Sequence, residues 1–220
     1  MEIVVLIEGF SSTRGKKRFQ VLVEEIKREF PGIEIVIPEY FEGYGRIGQC
    51  FRKKTISEYA ATVKKRIEKE VREKDKSFVL IGYSMGGLIA RYLVEKMEFP
   101  AKTVILIGTP NKGIKLSWWE KLLLKIINIP CIEDMKENSE FLRTLQIKSL
   151  PNYYWLGSDR DKRVPFNSSI PIEIRYNTKR YRGLEVLSTD HSGLIPMTPK
   201  KSKDSAIPAI IRILKKEIKA

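Results

Sequence analysis

The sequence predicts an α/β domain: a mostly parallel central sheet flanked by helices, with a small helical lid or cap inserted. Three observations carry that prediction. Short β-branched runs at 3–7, 78–81 and 104–107 alternate with segments of helical periodicity, the pattern of crossover units. Those runs are apolar at every position, as strands buried on both faces of a parallel sheet require, and they are far too short to cross a bilayer. One long interval, 111–150, breaks the alternation and is longer than a simple crossover helix. A chain of 220 residues can bury one sizeable core, so 1–220 is read as a single domain with 111–150 as the insertion.

The elements follow in order. The first strand is predicted at 3–7 and the second at 33–37. Between them Phe19, Leu22, Val23, Ile26 and Phe30 recur at helical spacing, and Pro31-Gly32 ends that helix. The next helix opens at Thr55-Ile56-Ser57-Glu58, where Thr55 and Glu58 can satisfy each other's orphan N–H groups, and its apolar side runs through Tyr59, Ala60, Val63, Ile67 and Val71. A strand at 78–81 leads into a helix marked by Leu88, Tyr92, Leu93 and Met97, and a further strand is predicted at 103–107. Within the insertion, Trp118, Trp119, Leu122, Leu123, Ile126 and Ile127 line one side of a helix that Pro130 closes. Two readings of that face stand side by side: a cover for an active-site cleft or a lipid-facing surface, and an ordinary amphipathic helix packed on the sheet. Strands at 153–156 and 184–187 follow, with 170–176 as a less regular extended segment. The last helix starts near Asp204-Ser205, admits Pro208 in its first turn and is expected to bury Ile207, Ile210, Ile211, Leu214 and Ile218.

Charge and cysteine content narrow the function classes. The net charge of +14 would suit an anionic partner, but the basic residues interleave with acidic ones, as in Glu24-Glu25-Ile26-Lys27-Arg28-Glu29. Solvated helix faces are therefore the preferred reading, no nucleic-acid partner is expected, and peripheral contact with an anionic membrane stays open. Cys50 and Cys131 make neither a disulfide framework nor a metal cluster and are read as reduced thiols, with a single bridge between them left to geometry. The first strand begins directly after Met1-Glu2, where a signal peptide would have to sit, so a cytoplasmic location is expected.

The chemistry concentrates in three places. Ser84 lies in Gly82-Tyr83-Ser84-Met85-Gly86-Gly87, between a predicted strand and a predicted helix. That is the strand–turn–helix context in which a G-x-S-x-G serine becomes a nucleophile, its glycines clearing the crowded turn. A serine hydroxyl needs a base beside it. The chain has one histidine, His191, on the loop after the last predicted strand. The order of serine first and histidine last matches one of the known triad orders and differs from two others. The acid should lie between them. Asp161 precedes Val164-Pro165 by a D-x-x-V-P spacing and is preferred to Asp159, while Asp190 beside His191 is a poorer choice because neighbouring side chains on an extended loop point apart.

With these residues in place, the chain resembles the α/β-hydrolase superfamily and, within it, the lipase and esterase branch, over nearly its whole length. The loop Ile7-Glu8-Gly9-Phe10-Ser11-Ser12 is similar to the H-G-F-type loop that supplies one oxyanion donor, and the elbow supplies the other. The resemblance implies that the backbone N–H groups of Phe10 and Met85 bind the oxyanion. Glu8 and Asn111 depart from the histidines that many relatives carry, which bears on the acyl pocket. The expected activity is hydrolysis of a small-molecule or lipid carboxylic ester through an acyl-enzyme, with no cofactor and no metal. An acyl thioesterase or acyltransferase with the same triad is the nearest alternative, and a non-catalytic membrane- or anion-binding protein on this fold is a second.

Overall fold

In the sequence Ile3-Val4-Val5-Leu6-Ile7 every side chain has water-excluding work on one side or the other, and all five are fully buried. They form strand β1 (Glu2–Ile7). The computed structural model describes residues 2–10, 15–40, 54–71, 76–115, 129–145, 151–170, 181–199 and 203–218. The remaining strands are β2 (Glu34–Val36), β3 (Ser77–Tyr83), β4 (Ala101–Ile107), β5 (Asn152–Ser158) and β6 (Tyr181–Leu187). They make one six-stranded sheet in the order β2-β1-β3-β4-β5-β6, and every pair is parallel.

Parallel strands need crossovers, and the helices α1 (Gly15–Arg18), α2 (Gln20–Glu29), α3 (Ile56–Glu70), α4 (Met85–Glu95), α5 (Pro130–Asp134), α6 (Glu140–Thr144), α7 (Phe166–Ser169), α8 (His191–Leu194) and α9 (Ile207–Ile218) lie among them. Alternation along β1 divides the core. Ile3, Val5 and Ile7 pack with α3 and α4 on one face, and Val4 and Leu6 pack with α2 and α9 on the other. The predicted capping box forms at the start of α3: the Thr55 hydroxyl accepts from the Glu58 N–H at 3.2 Å and Glu58 accepts from the Thr55 N–H at 2.7 Å.

Three sequence expectations change in detail. The helix expected around 19–30 runs over Gln20–Glu29, and a short helix not expected from the sequence, α1, precedes it across Phe19 (φ −91°, ψ 2°). Pro130, expected to close a helix, begins α5, at a position where its missing N–H costs nothing; the residues immediately before 129 lie outside the described residues. In α9 the buried stripe includes Ala209, Ile213 and Glu217, while Ile211 and Ile218 are only half-buried.

The described part of the 111–150 insertion contributes several residues to the core. Ile129, Cys131, Met135 and Leu145 are buried against the α3–α4 face, and Asp134 accepts the Ile56 N–H at 2.7 Å. The Trp118–Ile127 face, Cys50 and the 171–176 stretch lie outside the described residues. Among the described residues no helix is long and apolar enough to cross a membrane.

The strand order reverses at β1, which has β2 on one side and β3 on the other. In an open α/β sheet the crevice beyond the carboxyl ends of two such strands is the natural ligand site. The loops leaving β1 and β3 carry Gly9-Phe10 and Ser84.

Candidate active site

Ser84 stands between β3 and α4 with φ 55° and ψ −126°, a left-handed backbone that a side chain adopts only under constraint. The constraint is visible on both sides. The Ser84 N–H extends the sheet ladder to the Ile107 carbonyl at 2.8 Å, and the Ser84 carbonyl accepts from Gly87 at 3.0 Å as α4 begins. The turn closes this tightly because Gly86 has no side chain: a Cβ there would stand 2.2 Å from the Ile7 carbonyl oxygen. A Cβ on Gly87 would stand 1.8 Å from Thr109 Oγ1, so α4 seats itself against the loop after β4 only with glycine at 87.

His191 opens α8, directly after the loop that follows β6. Its Nε2 lies 3.0 Å from Ser84 Oγ and its Nδ1 lies 2.5 Å from Asp161 Oδ2. Asp161, on the turn after β5, is nearly inaccessible at 3% exposure. Its other oxygen accepts the N–H groups of Arg163 and Val164, each at 2.9 Å, which fixes the carboxylate plane and explains the D-x-x-V-P spacing in physical terms.

The two competing carboxylates have other work. Asp190 caps α8 by accepting the Gly193 N–H at 2.7 Å. Asp159 points to the surface, where it accepts the Ser188 hydroxyl at 3.0 Å. The structure thus brings together Ser84, His191 and Asp161 and leaves Asp159 and Asp190 apart from them.

The expected oxyanion donors sit where the loops meet. Met85 is the first residue of α4 and fully buried; Phe10 follows Gly9, whose Cβ position would be 2.8 Å from Ser84 Cβ and 3.4 Å from Ser84 Oγ. Asn111, one of the departures noted above, is buried and structural. It accepts from Arg91 at 3.0 Å and donates to the Ser169 carbonyl at 2.5 Å. Arg91 is in turn paired with Glu95 at 2.7 Å, and both are buried. Glu8, the other departure, is buried at 5% exposure, and its carbonyl accepts from the Tyr40 hydroxyl.

Sequence reasoning missed Tyr83, the residue before the serine. Its hydroxyl donates to the His191 carbonyl at 2.8 Å, and its ring stacks on the imidazole with centroids 5.1 Å apart. Burial pushes its pKa up to about 12, Arg18 pulling the other way, so the group remains a donor at any ordinary pH. The only signal in the sequence was an aromatic residue at the free position of the G-x-S-x-G motif.

Comparison with known proteins decides the family. A family model described as palmitoyl protein thioesterase matches residues 3–168. The chain belongs to the palmitoyl protein thioesterase family. Residues 3–168 take in the elbow and Asp161 and stop short of His191. A curated relative, the lysosomal thioesterase PPT2-B of Xenopus laevis, is 25% identical over 172 residues, which is 76% of this chain and 55% of the relative. The chain therefore spans about half the length of the curated relative it matches.

Solved structures agree on the fold. An esterase from Pyrococcus furiosus superposes with a TM-score of 0.63 at 15% identity, covering 98% of this chain and 82% of its own. The α/β hydrolase domain-containing protein 10 from mouse does so at 0.61 and 18% identity, covering 99% and 89%. At such identities the likeness shows the α/β-hydrolase fold alone.

Proposed function

We propose that the protein hydrolyses acyl thioesters, with Ser84 as nucleophile, His191 as general base and acid, and Asp161 as the group that orients and stabilises the imidazole. The observation that carries this reading is the unbroken line from Asp161 through His191 to Ser84, with spacings of 2.5 and 3.0 Å, ending on an elbow serine. Oxygen esters were the first expectation from the sequence; membership of the palmitoyl protein thioesterase family moves the preferred bond to a thioester and the preferred acyl group to a fatty acid.

In this reading His191 Nε2 takes the proton of Ser84 as Oγ attacks the thioester carbonyl. The resulting oxyanion is held by the N–H groups of Phe10 and Met85, at the start of α4 where the helix dipole favours negative charge. The C–S bond then breaks, the proton on the imidazole goes to the departing thiolate, and an acyl-serine remains. Water, deprotonated by the same imidazole, releases the fatty acid and restores the serine.

The test is a panel of acyl thioesters and matching oxygen esters, run alongside labelling by a fluorophosphonate probe. Wild type should label and should turn over thioesters faster than oxygen esters. Ser84→Ala should not label, and Ser84→Ala and His191→Ala should each lose about 10⁶ in kcat, as when a serine or histidine is removed from a working triad. Equal labelling of Ser84→Ala and wild type would remove Ser84 from the mechanism.

A further inference from the structure

Among the described residues three features lie outside the line of Ser84, His191 and Asp161. A groove between β5, β6 and α9 has an apolar floor of Leu156, Leu184 and Ile213, but its rim charges are engaged: Arg212 with Glu185 at 2.6 Å, and Lys216 over the Tyr154 ring. The buried Arg91–Glu95–Asn111 network ties α4 to neighbouring loops, with Asn111 donating onward to the Ser169 carbonyl. The third, around Tyr83, touches the reacting residues.

We infer that Tyr83 is a positioning residue that sets the distance between the nucleophile and the base, with Arg18 as its brace. This rests on the triad reading above. Tyr83 is joined to Ser84 by a single peptide bond, and its side chain reaches across to His191 twice. The hydroxyl donates to the His191 backbone carbonyl at 2.8 Å, and the ring lies against the imidazole at 5.1 Å and 29°. One rigid unit therefore fixes both the main chain and the ring plane of the histidine relative to the serine beside it.

Arg18 completes the arrangement from α1. Its guanidinium lies 5.7 Å from the centre of the Tyr83 ring and donates to the Ile195 carbonyl at 3.1 Å and, more weakly, to the Ser192 carbonyl at 3.4 Å. The histidine loop is thus held at His191 by Tyr83, and at Ser192 and Ile195 by a residue that also faces the Tyr83 ring. Tyr83 is 6% exposed, so its own hydrogen bond to His191 is made in a buried setting.

His191 is the only histidine in the chain, so its imidazole NMR signals need no assignment. The experiment compares wild type, Tyr83→Phe and Arg18→Met for kcat, KM, fluorophosphonate labelling rate and the His191 ring resonances. Turnover is counted per labelled serine, so that any unfolded fraction drops out. Tyr83→Phe keeps the ring and removes the hydrogen bond. It should lower kcat about tenfold, leave KM within about twofold, slow labelling in proportion and shift or broaden the imidazole signals. Arg18→Met should act in the same direction with an effect of about threefold.

Wild-type kcat per labelled serine and unmoved imidazole signals in Tyr83→Phe would overturn the positioning role. A fall in kcat with unmoved imidazole signals would overturn it equally, because position is what the signals read. The underlying reading is tested separately: if His191→Ala labels and turns over like wild type, the triad is wrong, whatever Tyr83 does.

Discussion

At the scale of single residues, the site is a set of side chains each denied its alternatives. Ser84 cannot relax its positive φ because the Ile107 carbonyl and the start of α4 hold it from both sides. Asp161 cannot turn away from His191 because two main-chain N–H groups occupy its second oxygen. Exchanging Asp161 for Asn keeps the shape but lets the imidazole take the wrong tautomer, so kcat should fall by about 10⁴. Asp159→Asn, which disturbs only a surface hydrogen bond to Ser188, should stay within about twofold. Steady-state assays of the two variants side by side check both numbers; equal losses would mean that the acid has been misassigned. The convergence of Ser84, His191 and Asp161 was legible in the sequence because the proposed chemistry asks for those residue types at fixed spacings. Tyr83 was not, because the motif leaves its position open and its role depends on a contact across 108 residues.

At the scale of elements, the seating of α4 decides where the serine points. Gly87 lies where a Cβ would meet the side chain of the buried Thr109 at 1.8 Å. Gly87→Ala should therefore destabilise the protein by about 3 kcal/mol, the upper range for overpacking. Thr109→Ala in the same chain should restore part of that, since it removes the two closest atoms. A double-mutant cycle by denaturant unfolding measures the coupling, and additivity of the two changes would show that the contact does not limit α4. The glycine-rich run was legible as a tight turn; its partner Thr109 was not. Boundary details escaped for a related reason. The short α1 carries no apolar periodicity to announce it, and Ile213 replaces Ile211 in the buried stripe of α9 because tertiary packing selects the face.

At the scale of the whole molecule, the sheet has two functional edges. The candidate site occupies the carboxyl ends of the strands. The amino ends are secured by Glu217 of α9, which accepts from Thr103 of β4 at 2.8 Å and from Asn152 and Tyr154 of β5 at 2.9 and 2.7 Å. Burial works to raise the pKa of Glu217, yet the hydrogen bonds from Asn152, Tyr154 and Thr103 and the charge of Lys102 outweigh it and hold it below the ordinary glutamate value. A carboxyl whose folded pKa is lowered stabilises the fold above its unfolded pKa and loses that contribution as pH falls through the folded one. Glu217→Gln should accordingly be less stable than wild type at pH 7, and the gap should close on acidification between about pH 5 and 3. Unfolding free energies across that range check the sign; a gap that widens on acidification refutes it. The parallel sheet and its crossovers were legible from apolar runs and helical periodicity, but an acidic residue buried in the last helix reads in sequence as one more solvent-facing charge.

The order in which the site is encoded has a consequence for biosynthesis. β1 pairs with β3 across some seventy residues of chain, and the elbow precedes β4, whereas the only imidazole of the sequence arrives with α8, after β6. On the proposed triad, the strained Ser84 hydroxyl and its proton acceptor are encoded 107 residues apart, so the base can be in place only after residue 191 has been translated. Acyl transfer at Ser84 would then wait for that later segment to dock.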